Sequence, residues 1–68
     1  MHLSIEIEQE VDGRWLSEVP ALPGVLAHGR SRAEAAAKVE ALALRVLSDR
    51  LEHGEAEPAS LSITMPAA

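Results

Sequence analysis

Asp12-Gly13-Arg14-Trp15-Leu16-Ser17-Glu18-Val19-Pro20-Ala21-Leu22-Pro23-Gly24-Val25-Leu26-Ala27-His28-Gly29 (residues 12–29) decides the fold. Asp-Gly is a strong hairpin signal. A short strand follows from about Arg14 to Val19. Pro20 and Pro23 cannot donate ladder hydrogen bonds, so the strand must leave the sheet there. Pro23-Gly24 suits the middle of a type II turn. Val25 to His28 then form a third short strand, which Gly29 breaks.

Upstream, Leu3, Ile5, Ile7 and Val11 alternate with Ser4, Glu6, Glu8 and Glu10. Period two marks a strand over residues 3–11 with one buried and one wet face. Its register against the second strand is open. A two-residue turn pairs Val11 with Arg14 and brings Leu16 and Glu18 to the Ile5/Ile7 face. A three-residue loop pairs Val11 with Trp15 and brings Trp15, Ser17 and Val19 there instead. The second is preferred, because it keeps Glu18 out of the core and leaves Leu16 on the outer face.

Downstream, Ser31-Arg32-Ala33-Glu34 is a capping box, with Ser31 as N-cap. The helix is expected over about 32–53, with Gly54 past its end and Arg50 and His53 at the negative end of the dipole. Ala35, Ala36, Val39, Leu42, Ala43, Val46 and Leu47 form one stripe, and Glu34, Lys38, Arg45, Asp49 and Glu52 the opposite face. Leu44 and Leu51, with Ala33, Ala37 and Ala41, widen the apolar arc beyond what one sheet covers. Either a second copy packs on them, or they lie under the C-terminal segment. Glu55-Ala56-Glu57-Pro58 reads as a linker. Over 60–65, Leu61, Ile63 and Met65 point in and Ser60, Ser62 and Thr64 out, a fourth strand. A long helix precedes it, so a parallel neighbour is allowed. The fold class is α+β, in the order β-β-β-α-β, with one helix packed on a three- to four-stranded sheet.

The chain has 68 residues and reads as a single domain, 1–68. So short a chain buries only about 60% of its unfolded surface. It has no cysteine, so oligomerisation, a homodimer or more, is the remaining staple. Hydrophobic residues are 47% of the chain, which argues against disorder. The net charge of −5, from 11 acids and 6 bases, disfavours a grip on phosphate backbones and suits a basic partner, or solubility alone. No stretch is apolar enough for a membrane span, and residues 1–3 lack signal-peptide character, so the cytoplasm is the expected compartment. The absence of Asn and the single Gln fit a thermophilic source and equally a GC-rich genome.

Catalytic chemistry finds little to stand on. Glu6, Glu8 and Glu10 lie two apart on one strand face. That spacing gathers a cation in some sites and is ordinary for a solvated face. Among the neighbouring strands only Asp12 and Glu18 add carboxylates, short of the converging set a two-metal nuclease needs. His2, His28 and His53 are scattered, and the serines have no adjacent His–acid pattern. No catalytic residue, metal site or cofactor is assigned, and the chain is read as not an enzyme. Trp15 is either a core anchor or a partner-binding hot spot.

Asp12-Gly13-x-Trp15-x-x-Glu18-Val19-Pro20-x-Leu22-Pro23-Gly24, then Gly29, Ser31 and Glu34-Ala35 opening an alanine-rich helix, resembles the HicB-like antitoxin family over about residues 3–52. The resemblance implies a truncated RNase H-like fold and an antitoxin that binds and neutralises a small basic mRNA-cleaving toxin of the HicA type. Many members carry a C-terminal DNA-binding segment; the 68 residues here are expected to act without one and without touching nucleic acid. Arg14 stands where the family often has a second glycine, and Val25 where it often has cysteine. Partner-contacting positions nominated on this basis are Glu18, Pro20, Leu22, Pro23 and Gly24, with Leu16, Leu44 and Leu51 as an oligomer interface. The competing expectation is an orphan homo-oligomeric scaffold, or a small-ligand-binding domain, with no toxin partner.

Overall fold

The computed structural model describes residues 2–55 and 61–65. In chain order they form β1 (His2–Ser4), β2 (Glu6–Gln9), β3 (Trp15–Glu18), β4 (Leu26–Gly29), α1 (Arg32–Glu52) and β5 (Ser62–Thr64). β1 and β2 are one extended run interrupted at Ile5, whose amide donates to the Thr64 carbonyl at 3.0 Å. The amide of Glu10 donates at 2.7 Å to Arg14 on the β3 side. Successive amides of a strand alternate between its edges. Ile5 and Glu10 have opposite parity, so β5 and β3 flank opposite edges. The order is β5, β1/β2, β3, β4, with β5 parallel to β1 and the other pairs antiparallel. The expected α+β class and the single long helix are present, and the fourth strand of the sequence reading is the parallel one.

The preferred face assignment holds: Ile7 lies opposite Ser17 and Glu6 opposite Glu18. The loop is three residues long but sits one position earlier than expected. Glu10 faces Arg14, and Gly13 closes the turn with φ +91° and an amide bond to the Glu10 carbonyl at 2.9 Å. Only glycine takes that φ without strain. Val11, expected to point inward, is therefore lifted into the turn and fully exposed. Leu22 to Val25 is the expected turn about Pro23-Gly24, closed by Val25 N–H to Leu22 C=O at 3.0 Å with Gly24 at φ +86°.

The core is Leu3, Ile5, Val19, Leu22, Val25, Val39, Ala43 and Leu47, with Ile7, Ala27, Leu42, Val46 and Ile63 packed at its margin. Each fully buried aliphatic side chain contributes on the order of 1.5–3 kcal/mol. Ala35, Ala36 and Ala43 are buried and thin, so the helix lies close on the sheet. Gly29 marks the closest approach, because a Cβ there would stand 2.5 Å from the Ala35 nitrogen. It is part of β4 rather than its breaker, and it is needed for space. Beside it, the wholly buried Ser17 donates its hydroxyl to the Ala35 carbonyl at 2.7 Å, stitching β3 to the first turn of α1. Trp15 is half-buried at the end of this inner face, outside the core cluster, and does not anchor it.

Ser31 caps α1 as expected, its hydroxyl accepting from Glu34 N–H at 3.1 Å. The return arm of the capping box is displaced by one residue. Glu34 Oε1 accepts from the Arg30 amide at 3.2 Å and meets Lys38 Nζ at 3.3 Å. These two partners, the Arg30 amide first, lower the Glu34 pKa. At the other end Gly54 takes φ +70° and Glu55 N–H donates to Arg50 C=O. α1 lies over β4, β3 and β2 and makes little contact with β1 and β5. Leu61 and Met65, expected inside, therefore stay exposed on the helix side of β5. Residues 56–60 of the expected linker and strand, and 66–68, lie outside the described residues.

Candidate functional site

One helix covers one face of this sheet, and among the described residues nothing packs on the other. The pleat alternates side chains, and burying Ile7, Ser17 and Ala27 under α1 turns Glu6, Glu8, Leu16, Glu18, Leu26 and His28 outward. The register stacks them into two rows across three strands. Glu6, Glu18 and Leu26 form one row; Glu8, Leu16 and His28 form the other. Glu6, Ile7, Glu8, Leu16 and Glu18 line a shallow groove of about 220 Å³. That is below the 300–1,000 Å³ typical of small-ligand pockets.

Its electrostatics run against the stability of the isolated chain. Glu6 and Glu18 face each other directly across β2 and β3. Like charges in that relation destabilise a sheet by a few tenths of a kcal/mol up to about 1. His28 Nε2 lies 3.0 Å from Glu10 Oε1, reaching across β3, and Arg14 is taken by Asp12 at 2.9 Å. Arg14, through its amide and then its side chain, lowers the Asp12 pKa. At the β1/β5 end the His2 ring lies between the Ser62 and Thr64 hydroxyls, each at 3.1 Å.

The sequence-nominated residues divide. Glu18 and Leu16 lie on the bare face, and Pro20, Pro23 and Gly24 are exposed on the loop that follows Glu18. Leu22, expected with them, is 2% exposed and belongs to the core, so its side chain is not available as a contact. The tight turn that exposes Pro23 and Gly24 points Leu22 inward. Leu44 and Leu51 are exposed on α1, on the opposite side of the sheet from Leu16. The three do not form one interface. Leu26 was missed, although its signal was present: once Val25 faces the core, its neighbour must face out. Glu6, Glu8 and Glu10 are spread along the strand, and no group of three potential ligands among the described residues is arranged to hold a metal ion. No described helix is long and apolar enough to cross a membrane.

Comparison with known proteins adds no assignment: no family model, curated protein or solved structure matches the chain.

Proposed function

We propose that this chain is a binding module of the antitoxin type, which docks a small basic mRNA-cleaving toxin on its bare sheet face and blocks it. The truncated RNase H-like label, cytoplasmic location and absence of enzymatic activity belong to the same proposal. The observation that carries it is the Glu6–Glu18 pair, held opposite each other beside Leu16 and Leu26. A chain selected for stability alone has no reason to keep like charges in register. Local rules tend to be broken where function requires it. A lysine or arginine laid over the groove would relieve the repulsion, while the two leucines lost water. The net charge of −5 would steer a basic partner to the face. The rigid loop around Pro20 and Pro23 extends the surface at little ordering cost. The likeness of residues 12–35 to HicB-like antitoxins supplies the kind of partner.

The test is capture by tagged protein from native lysate, read by mass spectrometry, followed by an RNA-cleavage assay on whatever is enriched. A small basic protein that cleaves mRNA alone and stops at equimolar chain supports the reading. Failure of any small basic protein to bind at micromolar concentration removes it.

A further inference from the structure

α1 carries a second unpartnered surface, independent of the sheet face. Ala37, Ala41, Leu44, Ser48 and Leu51 are all exposed and are spaced four, three, four and three apart. This is the seam spacing of paired helices. Among the described residues nothing covers this flank. Glu34 and Lys38 line a cleft with His28, Gly29 and Arg30 on the β4 side. Leu44 sits on the other flank of the buried stripe, toward β5. There α1 stops short of the sheet edge, and Leu61 and Met65 flank the half-buried Ile63 on the helix side. Leu44, Leu51, Leu61 and Met65 remain 43–48% exposed.

We infer that the second helix is α1 of another copy, packed antiparallel about a two-fold axis at Leu44. In that register Leu44 meets its own copy, and each Ala37 lies opposite a Leu51, small against large at both ends. The arrangement also places Lys38 of each copy beside Glu52 of the other and opposes the two helix dipoles. Arg45 meets its own copy beside the axis, one repulsion against two attractions. A parallel pair would instead stack Ala37 on Ala37 and leave a gap. The two helices overlap over residues 36–52, a flank about 24 Å long, which offers on the order of 400 Å² per copy, the size of a weak, reversible contact. The dimer is therefore weak and concentration-dependent. Its two bare sheet faces stay outside the interface, so partner binding and dimerisation are separable.

The chain has no cysteine, so single cysteines report the register directly. Sedimentation equilibrium should show a reversible dimer that Leu44→Glu converts to monomer with an unchanged circular dichroism spectrum. Leu44→Cys should oxidise to a covalent dimer. Ala37→Cys alone should not, but should cross-link when mixed with Leu51→Cys. A chain that stays monomeric at submillimolar concentration overturns the inference. So does a Leu44→Glu dimer of undiminished affinity, or ready cross-linking of Ala37→Cys to itself.

Discussion

Gly29→Ala isolates the contact on which the helix seat depends. The new Cβ would stand 2.5 Å from Ala35 N, 2.9 Å from Ala35 Cα and 3.1 Å from Glu34 C, all backbone atoms. Ordinary contact begins near 3.5 Å, so the first turn of α1 must retreat by about 1 Å. Overpacking of this kind costs about 1–3 kcal/mol. The retreat also stretches the buried Ser17–Ala35 bond, now 2.7 Å, worth about another 1 kcal/mol. The sum is about 2–4 kcal/mol. For a domain of this size that lowers the melting temperature by roughly 10–25 °C. Gly24→Ala is the control. Its surroundings are open and only its φ of +86° is at stake, so it should cost about 1–2 kcal/mol. Thermal melts of both variants decide the matter. Gly29 has no left-handed φ, so without the close approach an alanine there would be neutral or stabilising. A Gly29→Ala melting point within 2 °C of wild type, or above it, refutes the seat described here.

Ser17→Ala should cost about 1 kcal/mol in denaturant melts, since the Ala35 carbonyl it leaves is that of a helical residue. Ser17→Val should cost more, because the site is fully buried. Asp12 and Glu34 have lowered folded pKa values. Their contribution is present above the unfolded values and is lost as pH falls through and below the carboxylate range, so melting temperature should drop on acidification and Glu34→Gln should flatten that drop. Replacing Glu6, Glu8 and Glu18 together by Gln should slow association with a basic partner by about tenfold or more at low salt and much less at high salt, measured by stopped flow.

Residues 12–29 and the helix were readable because their signals are local. Glycine, proline and capping residues act within a few positions of themselves, and Ser31 and Gly54 bound the helix near where they predict. The inward set Trp15, Ser17 and Val19 followed from refusing to bury Glu18. What failed depends on distant partners. Val11 continues the alternation perfectly, yet the turn takes it, because turn position is fixed by where Gly13 can adopt its positive φ. Leu61 and Met65 alternate as core residues do, but α1 reaches only as far as β2, and the sequence does not state how far a helix extends sideways. Gly29 read as a breaker because its neighbour in space, Ala35, is invisible in the local pattern. The bare face was half legible: its glutamates were plain, but the facing of Glu6 by Glu18 required the register.

That facing also offers the most direct test of the central claim. Glu18→Lys replaces a repulsion across β2 and β3 by an attraction, so the isolated protein should melt a few degrees higher. The same change puts a positive charge at the proposed docking groove. Wild type and Glu18→Lys should be compared side by side in capture from native lysate, at matched loading. The account predicts a more stable variant that no longer retains the small basic protein held by wild type. Equal retention by both would contradict it and move the binding surface elsewhere.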